Sequence, residues 1–108
     1  MAASTDTPVL DTIAAMTLDS IERCGLAPDT MMIARIAALV AMDAPPVSYL
    51  AHLDPAISSG VTSDQVQDVL VAIAPIVGTP RIASAAGHIA KALGFAIAVS
   101  ENGSAASS

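Results

Sequence analysis

Cysteine, aromatic rings and positive charge are all scarce in this chain, and each scarcity excludes something. The single cysteine, Cys24, leaves no internal disulfide and no cysteine-only metal site. It follows Arg23 at the end of an amphipathic segment and reads as a half-buried structural thiol. Aromatics make up 2%, with no Trp, one Phe (Phe95) and one Tyr (Tyr49). That argues against a β-sandwich built on an aromatic core. The four cations, Arg23, Arg35, Arg81 and Lys91, are scattered and face ten acidic residues, for a net charge of −6. Without a basic stripe to neutralise phosphates, nucleic acid is not an expected partner, and an anionic membrane is disfavoured too.

Long apolar runs are missing as well. A membrane-spanning helix needs roughly 20 apolar residues in succession. Arg35 interrupts the apolar stretch 31–42, and Asp68 and Arg81 bracket the one at 69–76. Residues 1–6 carry neither the positive nor the apolar part of a secretory signal, so a soluble, cytoplasmic protein is expected. No glycine-rich phosphate loop is present. His52, His88 and the scattered carboxylates do not have the spacing of a metal site, and no cofactor is expected.

What the chain does have is aliphatic side chains. Hydrophobic residues reach 54% and the mean hydropathy is +0.66, mostly through alanine with Val, Ile, Leu and Met. A chain so apolar is not disordered, and 108 residues suffice for one small domain. Alanine-rich segments favour closely packed helices, so the expected class is all-α. Helices that are apolar nearly all round are buried on more than one side, which points to a homo-oligomer.

Five helices can be read. The first spans about 9–24, with Ile13, Met16, Thr17 and Ser20 or Ile21 at helical spacing and Gly25 as its stop. The second spans about 29–42 and is expected to be the most buried, since Arg35 is its only interior polar group after Thr30. The third, about 47–59, starts behind Pro45-Pro46 and carries Tyr49, Leu50, Leu53 and Ile57 on its apolar face. Pro55 inside it frees the Ala51 carbonyl and should bend it near His52. Gly60 ends it. Thr62 and Gln65 form a capping box for the fourth helix, whose stripe is Val66, Val69, Leu70, Ile73 and Val77. Gly78 closes that helix, and Thr79-Pro80 opens the fifth, expected to stop at Gly94. Residues 1–8 read as a flexible arm, 9–100 as one domain and 101–108 as a disordered tail.

Two residues stand out chemically. His52 can move protons near neutral pH, or it can satisfy the carbonyl freed by Pro55. Arg35, a lone charge on an apolar helix, must either reach a carboxylate such as Asp68 or Asp43 or line a cavity that receives an anion. His88, close to Lys91, is expected on a solvated or subunit-facing surface. Met31, Met32 and Met42 read as core filler, with Met32 also a candidate for a pocket wall.

The succession Tyr49-Leu50-Ala51-His52, Gly60-Val61-Thr62, Asp68 and Gly78-Thr79-Pro80 resembles the carboxymuconolactone decarboxylase family, whose relatives include alkylhydroperoxidase D-type thiol peroxidases. The resemblance covers about residues 31–90. It implies an all-α helical homo-oligomer, a trimer or hexamer, with the histidine at the site. In the peroxidase branch that histidine assists a Cys-x-x-Cys ahead of it on the same helix. Here those positions hold Pro45 and Ser48, and the glutamate of the preceding helix falls near Ile33. An aromatic residue of the family pattern is Ile76 here. Decarboxylase-like members tend to carry an acid one turn before the histidine, and that position is again Ser48. Dithiol peroxide reduction is excluded, because the thiolate is the nucleophile. What the resemblance leaves is a cofactor-free lyase on a small organic acid or lactone. His52 would transfer the proton, Arg35 would steady a carboxylate or enolate, and Ser48, Tyr49 and Met32 would contact substrate. The alternative is a binding or assembly module that kept the fold and lost the site.

Overall fold

The computed structural model describes residues 7–107, with side chains described for 7–94. Five helices follow one another: α1 Pro8–Arg23, α2 Pro28–Ala41, α3 Pro46–Ser58, α4 Ser63–Val77 and α5 Thr79–Ser107. No strand occurs among the described residues. Proline opens the first three helices, where its missing N–H has no partner to lose. Helix α4 begins with the expected capping box. The Gln65 N–H donates to Thr62 Oγ1 at 3.1 Å, and the Thr62 N–H donates back to Gln65 Oε1 at 2.9 Å. Two of the orphan donors of the helix start are thereby satisfied.

Helices α2 to α5 pack as a ring, α2 on α3, α3 on α5, α5 on α4 and α4 on α2, with α2 also touching α5 across the middle. Each contributes a stripe at helical spacing. These are Met32, Ile36 and Val40 from α2, Tyr49, Leu53 and Ala56 from α3, Val66, Val69 and Leu70 from α4, and Ala85, Ile89, Ala92 and Leu93 from α5. Ala44 and Val61 seal the core from the connecting loops. Between helices the chain turns at positive φ. Gly60 (102°) and Gly78 (93°) sit there without a Cβ to clash, and Asp43 (53°) is of a residue type that tolerates the left-handed region.

Helix α1 behaves differently, as none of its residues is buried. Its large apolar side chains, Val9, Leu10, Ile13, Met16, Leu18 and Ile21, are all exposed. The spacing predicted an amphipathic helix correctly, and what lies against these side chains is not part of this chain's own core.

Three expectations are corrected. Gly25 is not a left-handed stop, because α1 ends at Arg23 with Cys24 extended behind it. The stop at Gly94 does not occur, and the backbone stays helical to Ser107. Gly94 has no positive φ. A helical glycine costs only about 1 kcal/mol against alanine, which its alanine-rich neighbourhood offsets. The helix thus includes positions 101–107, which sequence alone assigns to a tail, and Ser108 lies outside the described residues, as do residues 1–6 of the expected arm. Third, the solvated setting, one of the two expected for His88, is only partly found. The side chain is half-buried, its ring centroid lies 5.8 Å from that of Tyr49 at a 45° tilt, and its Nδ1 is buried.

Candidate functional site

Helix α2 has two working faces. Met32, Ile36 and Val40 point to the core, while Arg35, Ala38 and Leu39, a neighbouring i, i+3, i+4 set, run along the flank beside α1, with Leu39 also packed against the core. On α3, His52 precedes the buried Leu53 and so lies on the flank of that helix. The two flanks meet. Arg35, Ala38 and Leu39 of α2, His52 of α3, and Met16, Thr17 and Ser20 of α1 surround one open hollow of about 290 Å³.

His52 is held in a defined state. Its Nδ1 lies 2.8 Å from the Ser48 carbonyl oxygen. A carbonyl only accepts, so Nδ1 carries the proton and donates it, which leaves Nε2 as the basic nitrogen of the neutral ring. The ring thus satisfies a backbone carbonyl, that of Ser48 rather than the Ala51 carbonyl released by Pro55. Ser48 acts through its backbone, one turn back on the same helix.

Arg35 forms no ion pair among the described residues, so the pairing with Asp68 or Asp43 is not found. One guanidinium nitrogen, Nη2, donates to Ser20 Oγ at 2.9 Å. The other donors of its planar fork stay available, a geometry that suits a carboxylate. Asp43 instead lies beside α5, where its Oδ1 accepts from Ser84 Oγ at 3.4 Å.

The remaining expected contacts are elsewhere. Met32 and Tyr49 are buried in the core and do not line this hollow. Burial raises the Tyr49 phenol above its ordinary pKa of 10.0, and the negative charge of Asp43 adds to the rise. Tyr49 thus stays a neutral core phenol. Sequence reasoning missed the contribution of α1. Met16, Thr17 and Ser20 were visible as positions at helical spacing, but as a packing face rather than a site wall. Among the described residues, no group of three or more His, Cys, Asp or Glu could hold a metal ion.

The carboxymuconolactone decarboxylase family model matches residues 8–92, and the chain belongs to that family. The match takes in α1 as well as the hairpin around His52, further toward the N-terminus than the motif resemblance reached. Comparison with curated proteins and with solved structures gives no match. No helix among the described residues is long and apolar enough to cross a membrane.

Proposed function

We propose that this chain is a cofactor-free acid/base lyase of the decarboxylase type, acting on a small organic acid or lactone in the hollow between α1, α2 and α3. One observation carries the reading: His52 and Arg35, from different helices, border the same hollow. The carbonyl or lactone oxygen one carbon away from the substrate's carboxylate sits on the free donors of Arg35. The C–C bond to the carboxylate breaks, CO2 leaves, and the bond's electron pair passes onto that oxygen as an enolate, whose charge Arg35 stabilises where it develops. His52 takes a proton from solvent at Nε2 and delivers it to the carbon that held the carboxylate, which returns the ring to its neutral form. The test is turnover and solvent deuterium incorporation for a series of small lactones and β-keto acids, with the native chain against His52→Ala.

A second reading is supported by a different observation. Among the described residues, no carboxylate lines the hollow to share the proton with His52. A binding or assembly module without catalysis would take up the same acids but give neither product nor exchanged deuterium.

Under either reading, a second copy of the chain covers α1. Six large apolar side chains on one 16-residue helix are exposed, more than a stable monomer leaves to water. Light scattering should give a mass that is a multiple of 10.8 kDa. A single-chain mass at micromolar concentration would rule this association out.

A further inference from the structure

A second hollow, of about 410 Å³, opens between α3 and α5 and shares no lining residue with the first. Pro46, Leu50 and Ala92 give it an apolar wall, and its polar members are His88 and Lys91, one turn apart on α5. The size falls in the range that takes small organic molecules, about 300–1,000 Å³.

Among the described residues, neither the ammonium of Lys91 nor the buried ring nitrogen of His88 has a partner. Three of the four cations are engaged. Arg23 pairs with Asp19, Arg35 bonds Ser20, and Arg81 bonds the Ala41 carbonyl at the end of α2. Lys91 makes no hydrogen bond or ion pair among the described residues. The imidazole of His88 differs from that of His52. Its Nδ1 is buried with no hydrogen-bond partner, an uncommon condition in a folded protein. A proton on Nδ1 would have no acceptor, so the neutral ring carries it on Nε2, the nitrogen left for the hollow. The Tyr49 ring beneath holds the imidazole in place. The hollow therefore presents two donors, an ammonium and an Nε2–H, over an apolar wall, with no carboxylate among the described residues of its lining.

We infer that this hollow binds a monocarboxylate with a short aliphatic chain. The carboxylate accepts from Lys91 Nζ and His88 Nε2, and the hydrocarbon lies on Pro46, Leu50 and Ala92. An amine is repelled by Lys91, and a neutral alcohol leaves the ammonium without its counter-charge. Phosphate alone gains nothing from the apolar wall.

The test is a titration of the full chain with octanoate, followed by amide ¹H–¹⁵N spectra, with 1-octanol as the uncharged comparison. Saturable shifts are expected at Leu50, His88, Lys91 and Ala92. Lys91→Met and His88→Phe each keep the bulk of the wall and are expected to weaken octanoate about tenfold, the scale of a charge-assisted hydrogen bond. Lys91 is exposed, so Lys91→Met does not endanger the fold. Ile76→Ala, at an exposed position on α4 away from both hollows, should bind octanoate as the native chain does. Equal affinity for the alcohol, shifts confined to α1 or to the His52 hollow, no saturable shift at all, or undiminished binding by Lys91→Met would each overturn the inference.

Discussion

His52→Ala is expected to lower turnover of a small lactone or β-keto acid by about 10²–10⁴-fold while the helical spectrum stays unchanged, the usual contribution of a positioned acid/base group. The argument rests on one hydrogen bond. Because Nδ1 must donate to the Ser48 carbonyl, the lone pair of the ring is on Nε2, and the state that accepts a proton is preset. His52 is half-buried on the flank of α3, not part of the core stripe, so truncation leaves no large cavity. Arg35→Ala should act on the same reaction through the other group, lowering kcat by about 10²-fold, as loss of a donor to a developing oxyanion does. Arg35→Lys keeps the charge but not the fork, and should recover only part of the loss. Native-like turnover in His52→Ala would remove the histidine from the mechanism. Binding without turnover by the native chain would favour the non-catalytic module.

The largest stability effect should come from Ile36→Ala. Ile36 is 0% exposed at the centre of α2, the helix that touches α3, α4 and α5. Removing its outer carbons loses their transfer free energy and leaves a void that four packed helices cannot fully close. A cost of about 2–5 kcal/mol is expected. Small domains have only about 5–15 kcal/mol of stability in total, so the variant should unfold at clearly lower denaturant. Ile76→Ala serves as the comparison. Ile76 is 88% exposed at the end of α4 and should change stability by no more than about 0.5 kcal/mol. Urea unfolding followed by circular dichroism measures both. A neutral Ile36→Ala would mean that the core is not where the stripes put it.

Much of this fold is legible in the residues because the chain punctuates itself. Pro28, Pro46, Gly60, the Thr62–Gln65 box and Gly78 mark helix limits by local backbone chemistry, which does not depend on what packs nearby. Glycine stops were read with mixed success: Gly60 and Gly78 take up positive φ and end their helices, while Gly25 and Gly94 do not. A glycine stops a helix only if it takes up a left-handed conformation, and its sequence neighbours do not reveal that. The same limit applies to pairs distant in sequence. His88 was expected on a solvated or subunit-facing surface beside Lys91, but the ring it rests on, Tyr49, comes from another helix. Arg35 was recognised as a charge in need of an explanation. That its partner is Ser20 of α1, and no carboxylate, follows from how α1 crosses α2, which neither segment encodes locally. His52 was singled out, yet its tautomer depends on a distance that only the folded helix supplies.

The account stands on His52 and Arg35 serving one ligand. The direct measurement is the ring ¹⁵N signal of His52, recorded while a small lactone acid is added to the native chain and to Arg35→Ala. Before addition, Nδ1 should show the signature of a protonated nitrogen and Nε2 that of an unprotonated one. Addition should move the Nε2 signal in the native chain and leave it in place in Arg35→Ala. An Nε2-protonated ring at the outset, or an Nε2 signal that responds equally without Arg35, would contradict it.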